Sequence, residues 1–267
     1  MTNSRPLTAG TVGLYVIGTI ILVFLIMPTL IIAPMSLSPG QYIEFPPRAL
    51  STRWYVAYFA DSSWIDATLF SVQIASMTTL ASATIGVMAS LALVRGRVPA
   101  RETVMALLLA PLIVPHVIVA IAVYFQFAPL GLIGTRFGFV LIHTALAVPY
   151  VVLVVTAALQ RLPSSYEMAG LNLGASRLQC FRHITLPLIL PAIIAGSIFA
   201  FLASFDETVV SFFISGVEHK TITRKLMEDI EFNLSPLIAA ASMIFVVATV
   251  LLMWCGTLFR RQTSSAI

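Results

Sequence analysis

The chain is short of charge, nearly free of cysteine, and lacks the motifs that would let it carry out chemistry unaided. Only 10% of its 267 residues are Asp, Glu, Lys or Arg, against about 25% in a soluble domain. Apolar residues make up 59% and the mean hydropathy is +0.98. That balance excludes a water-facing shell, so the apolar surplus has to meet lipid. The two cysteines, Cys180 and Cys255, stand far apart in or beside apolar runs. They offer neither a disulfide framework nor metal-ligand spacing and read as apolar filler. No Gly-x4-Gly-Lys-Ser/Thr phosphate loop occurs, so the chain is no ATPase by that route. His-Glu-x-x-His and Gly-x-Ser-x-Gly are missing too, which removes the zinc-protease and acyl-hydrolase readings. Basic blocks are absent as well. The 13 Arg and 2 Lys are scattered between apolar runs, never more than two together, so the net charge of +4 describes membrane-protein loops rather than a nucleic-acid face.

What is present is length of apolar run. A bilayer core takes about 20 apolar residues, and six stretches reach that, over about 12–34, 67–94, 104–127, 139–159, 188–214 and 236–259. The expected fold is an all-α membrane protein with six transmembrane helices. Residues 1–65 hold the first helix and an outer loop, 66–256 the main membrane domain, and 257–267 a tail. The first run follows Arg5 but exceeds a signal-peptide core and lacks a small-residue cleavage site, so it reads as a retained helix. With the N-terminus inside, inner segments carry nine basic residues (Arg5, Arg95, Arg97, Arg101, Arg161, Arg177, Arg182, Arg260, Arg261). Outer segments carry six (Arg48, Arg53, Arg136, Lys220, Arg224, Lys225). That bias places both termini in the cytoplasm. Ser82, Gly86 and Ser90, and again Gly196, Ala200 and Ser204, give small residues every fourth position. Such a stripe either lets helix backbones approach closely or reflects the ordinary abundance of small residues in membrane helices.

Between the fourth and fifth runs lies a polar interruption over 163–187 whose local chemistry spells two short helices. Ser164-x-x-Glu167 forms a capping-box pattern after Pro163, Gly174 suits a left-handed helix end, and Ser176-x-x-Gln179 repeats the box. The second helix would carry Leu178, Phe181 and Ile184 to one side, and Pro187 would break the chain before the fifth run. Helices this short are marginal alone. The pair needs a surface: the membrane, another part of the chain, or a partner.

The run Gly174-Ala175-Ser176, then Phe181, Ile184 and Leu186-Pro187, resembles the cytoplasmic "EAA" loop of ABC-transporter permeases of the type I importer class. The family pattern is Glu-Ala-Ala, three free positions, Gly, and an apolar segment ending Leu-Pro. The resemblance covers about 67–255, with a divergent first helix. Counting back from Gly174 puts Met168, Ala169 and Gly170 on the Glu-Ala-Ala positions, and the acid, Glu167, falls one place upstream. Glu167 is either the capping partner of Ser164 or a substitute acid that pairs with a basic group on the ATPase. The resemblance implies that Glu167, Met168, Ala169, Gly170, Gly174, Ala175, Phe181, Leu186 and Pro187 form the ATPase-coupling loop. Phe45-Pro46-Pro47, Trp54-Tyr55 and Ser204-Phe205-Asp206-Glu207 make the chain similar to spermidine/putrescine permeases, whose relatives also move opines and ferric iron. The resemblance implies a bacterial inner-membrane location, two ATPase subunits that use ATP-Mg, a second permease subunit (distinct or a second copy) and a periplasmic binding protein. It implies no cofactor and no catalysis in this chain.

Two acids near the outer end of the fifth run point to the solute. Asp206 lies 18 residues beyond Leu188, about 27 Å along a helix, past the middle of a roughly 30 Å core. Carboxylates at that depth are costly unless they face a wet cavity or a partner. Asp206 or Glu207 therefore lines a cation pathway, which suits an ammonium substrate, or both sit in water at the outer interface. A secondary transporter or channel with an ion-coupling site at Asp206 or Glu207 is the alternative, although no internal repeat supports it. Tyr124, with Phe125 and Phe127, belongs to the pathway or to an aromatic belt. Pro111 and Pro115 either break the third run and open carbonyls to a cavity or make a tolerated kink. His116 and His143 read as lone histidines satisfied by neighbouring carbonyls.

Overall fold

The computed structural model describes residues 9–216 and 219–264, with side chains at 11, 13–216 and 219–251. Arg5 and Glu218 lie outside the described residues, and Cys255, Arg260 and Arg261 lie beyond the described side chains. All regular structure among the described residues is helical. In chain order the helices are α1 (Ala9–Ser36), α2 (Arg53–Ala60), α3 (Ser62–Arg95), α4 (Arg101–Leu109), α5 (His116–Phe127) and α6 (Arg136–Arg161). They continue with α7 (Ser165–Asn172), α8 (Arg177–Cys180), α9 (Leu186–Phe205), α10 (Val209–Ile214), α11 (Ile222–Phe232) and α12 (Pro236–Ser264). Among the described residues, four helical stretches are long and apolar enough to cross a bilayer: Gly13–Ser36, Ser62–Arg95, Arg136–Arg161 and Arg177–Phe205. Arg101–Leu112 with His116–Phe127 makes a fifth if that bent pair is one span, and Pro236–Leu251 is a shorter apolar helix.

The chain forms two compact units, one from residues before Asp66 and after Lys225, the other Asp66–Lys225. In the first, α12 packs against α1 and α2. The loop after α1 is tied down by polar bonds. Trp54 Nε1 donates to Gly40 O at 3.2 Å, Arg53 donates to Pro39 O at 2.7 Å, and Ser36 Oγ meets Tyr55 Oη at 2.7 Å.

The second unit is built around α6. Phe139, Ile142 and Leu146 of α6 pack with Phe70 and Ile74 of α3, Ala120 and Phe127 of α5, and Val210 and Ile214 of α10. Further along, Val151, Val155 and Leu159 pack with Ile189 and Ala200 of α9. The small-residue stripes are what bring these backbones together. A methyl at Gly86 would lie 2.7 Å from Val151 Cβ, and one at Gly196 would lie 3.1 Å from Val151 Cα. Ser82, Ser90, Gly196, Ala200 and Ser204 are all buried with them. Close approach, rather than background abundance, explains the spacing.

The prolines of the third run take the first of their two expected roles, a break, whereas Pro187 departs from expectation. The third run is no kinked rod: a 3₁₀ turn at Ala110–Leu112 and a break before Pro115 turn it through 94°. Pro187, by contrast, does not interrupt the chain. α8 passes through a π-turn at Phe181–Thr185 into α9, with Leu186 N–H bonded to Phe181 O. The wider turn accommodates a proline ring that would collide with a carbonyl in regular helix. It also rotates the register, so Leu178 is exposed while Phe181 and Ile184 are half-buried. The fifth run was expected to continue to Ile214 but stops at Phe205, with Asp206 at its C-cap.

Candidate functional site

Two helix breaks meet in the second unit. One lies between the 3₁₀ turn and Pro115, the other at residues 206–208, and packing of α10 on α5 holds them together. Glu207 sits in the second break with 7% exposure. Its Oε1 accepts the Val210 N–H at 2.8 Å, capping the first turn of α10. Side-chain capping of this kind competes with helix continuation, which is why the run ends where the acids begin. The other oxygen, Oε2, lies 2.9 Å from His116 Nδ1, on the first residue of α5. The Glu207 carbonyl in turn accepts from Thr223 Oγ1 at 3.1 Å.

His116 is thus paired with a carboxylate, not with a carbonyl as expected. Its side chain is 42% exposed while that of Glu207 is nearly enclosed, so the imidazole is the open side of the pair. Asp206 is exposed, and the pair does not include it. Tyr124, 42% exposed, lies eight residues beyond His116, roughly 12 Å along α5, and stacks edge-on against Phe125. Of the three residues predicted for the solute path, only Glu207 enters the junction of the breaks. Among the described residues no three His, Cys, Asp or Glu side chains converge.

His143, buried in α6, also departs from expectation. Its Nδ1 lies 2.8 Å from Ser204 Oγ and its Nε2 lies 3.2 Å from Ser211 Oγ. One ring therefore ties α6 to the helices on both sides of the break at 206–208.

The 163–187 segment holds both short helices, but its first cap differs from the one expected. Ser164 makes no side-chain cap. Glu167 instead bonds within the chain: Arg95 Nε lies 3.2 Å from its Oε1 and 3.1 Å from its Oε2. Thr185 Oγ1 donates to Oε1 at 2.8 Å. The capping role weighed for this acid is not the one it takes: within the chain its carboxylate bonds to α3 and the π-turn. Gly174 takes φ +88° and closes α7 with two bonds, Gly174 N–H to Leu171 O and Ala175 N–H to Gly170 O, the Schellman pattern. Ser176 and Gln179 form the expected reciprocal box. A methyl on Gly170 would lie 2.8 Å from Ile184 Cδ1 and 2.9 Å from Cys180 Sγ, so glycine there seats α7 on the π-turn. Met168 and Ala169 face outward, Ala175, Phe181 and Leu186 are half-buried, and Pro187 is exposed.

Sequence reasoning gave His116 only a neighbouring carbonyl, and gave Arg95 and Thr185 no partner. The position of His116 directly after Pro115 was a usable signal, as was Arg95 ending an apolar run. Nothing in the sequence marked Thr185.

Residues 82–264 match the family described as "Binding-protein-dependent transport system inner membrane component". The chain belongs to that family. It is an ABC importer permease subunit. It is 26% identical over 245 residues to the spermidine/putrescine transport system permease protein PotC of Haemophilus influenzae, covering 92% of this chain and 95% of PotC. It is 32% identical over 224 residues to the putrescine transport system permease protein PotI of Escherichia coli, covering 81% and 79%. A chain from the crystal structure of a bacterial ABC transporter involved in import of the acidic polysaccharide alginate superposes with a TM-score of 0.74 at 16% identity, over 97% of this permease and 99% of that chain. The last likeness concerns fold only. Permease subunits of this family are non-catalytic membrane components that work with an ATPase and a binding protein.

Proposed function

We propose that this permease forms half of an inner-membrane path for a small organic cation, a polyamine or close relative, and that a separate ATPase drives it through the 163–187 loop. One observation carries the solute class: a carboxylate, Glu207, enclosed at the junction of two helix breaks and reached through a half-open imidazole. Broken helices deep in an apolar protein free backbone groups for a solute, and an enclosed carboxylate favours a cation there. The alginate-related fold shows that architecture alone leaves the sign of the substrate charge open, so the argument rests on Glu207 and on the polyamine permeases the chain resembles. A solute ammonium displaces His116 from Oε2 as it passes.

The loop reading is supported by what the segment exposes. Met168, Leu171, Leu173 and Leu178 are 59%, 42%, 89% and 74% exposed on helices too short to span a bilayer. Apolar side chains so placed fit a protein groove on the ATPase. The same reading takes the bent pair and α12 as spans, giving six crossings, both termini in the cytoplasm, two ATPase subunits using ATP-Mg, a second permease subunit and a periplasmic binding protein. The test is ATP-dependent uptake by the reconstituted complex of labelled putrescine, spermidine and an opine. Transport of a diamine, competed by other diamines, supports the reading. Transport of the opine with no diamine competition overturns the substrate class.

A further inference from the structure

We propose that Arg95, Glu167 and Thr185 form an internal clamp that carries the movement of the 163–187 loop directly into α3; this rests on the reading of that loop as the ATPase-coupling element. The end of α3, the end of α6, α7 and the π-turn are joined through three side chains. Arg95 is the last residue of α3. Its Nε meets both oxygens of Glu167 on α7, and its Nη2 donates to Leu162 O at 2.7 Å, where α6 ends. Glu167 also takes the hydroxyl of Thr185, a buried residue of the π-turn that leads into α9. Cys180 Sγ, 3.7 Å from Glu167 O, closes the far side.

The geometry gives the clamp a direction. α7 and α8 are eight and four residues long, too short to hold a position by their own hydrogen bonds. A load on the loop is therefore transmitted through whatever ties it to longer helices. α9 receives the load through the covalent chain at the π-turn. α3 has no covalent link to the loop, and Arg95–Glu167 is the charge-assisted tie between them. The arginine fork is suited to this because it holds a carboxylate and a carbonyl at fixed angles at once. Both side chains are only 23% and 20% exposed, so water competes weakly. Arg95 and Glu167 are positioning residues: they touch no solute and act through the helices they join.

The test uses the complete transporter in proteoliposomes and reads solute taken up per ATP consumed, with ATPase co-elution measured alongside. Arg95→Gln and Glu167→Gln are each expected to lower that ratio roughly 2- to 30-fold, the range carried by contacts along a coupling network, while the ATPase still co-elutes. Arg95→Lys, which keeps the charge and a donor for Glu167, is expected to retain more of the ratio than Arg95→Gln, whereas a merely structural role would show as lost ATPase co-elution in the single variants. Single variants with a wild-type ratio overturn the clamp. So does an Arg95→Lys variant that assembles with the ATPase but is as uncoupled as Arg95→Gln. A wild-type permease that fails to bring down any ATPase overturns the coupling reading of the loop itself, and the clamp with it.

Discussion

Glu207→Gln isolates charge from shape at the centre of the proposed path. The glutamine amide oxygen still accepts the Val210 N–H that Glu207 Oε1 takes at 2.8 Å, so α10 keeps its first turn. What disappears is the negative charge on the oxygen 2.9 Å from His116. A hydrogen bond to a charged group contributes roughly 1.5–3 kcal/mol, and the site is 7% exposed, so little is lost to solvent screening. If a solute ammonium occupies that oxygen during transit, the variant loses the same amount, roughly 10- to 150-fold in kcat/KM. The assay is ATP-dependent putrescine uptake into proteoliposomes, with thermal unfolding in detergent as the control for shape. Glu207→Ala removes the cap as well and is expected to lower both uptake and Tm. A Gln variant that transports within about twofold of wild type would refute the pathway role of this carboxylate.

Other expectations follow from single contacts. His116→Ala removes the donor that competes with solute for Oε2, so the apparent KM for a diamine should fall; a rise would mean that the imidazole binds the solute instead of yielding to it. Gly86→Ala places a methyl 2.7 Å from Val151 Cβ and should cost about 1–3 kcal/mol as overpacking, read as a lower Tm. An unchanged Tm would contradict the close approach of α3 and α6. His143→Phe leaves the Ser204 and Ser211 hydroxyls without their shared partner, at roughly 1–3 kcal/mol, and should lower Tm while leaving ATPase co-elution intact. Gly174→Val forces a β-branched residue to φ +88°, costing roughly 1–2 kcal/mol in the loop, and should strip the ATPase from the purified complex. Full co-elution would count against docking at this segment.

The residues that announced themselves in the sequence were those whose constraint is local. Gly174 needs a left-handed turn, Ser176 and Gln179 cap one another, and the small residues from Ser82 to Ser90 repeat along one helix face; each reads correctly without a partner. The residues that were misread answer to something far away in the chain. Glu167 sits three places after Ser164 and looks like its cap, yet its partners come from α3 and the π-turn. His116 looks solitary because its carboxylate is on another helix. Pro187 seems to demand a break until the π-turn before it widens the helix. Glu207 ends a membrane helix early because a side-chain cap outbids one more backbone bond, and no apolar count over 188–214 registers that competition. Periodicity and capping rules therefore located the elements, while packing decided which polar groups meet.

The most direct test of the account is uptake of labelled putrescine into proteoliposomes holding this permease and its second permease subunit, with and without the ATPase. Solute supplied on the binding protein should accumulate only when the ATPase and ATP are present, and should stop when the nucleotide is replaced by a non-hydrolysable analogue. Accumulation driven by an ion gradient with no ATPase in the membrane would contradict it.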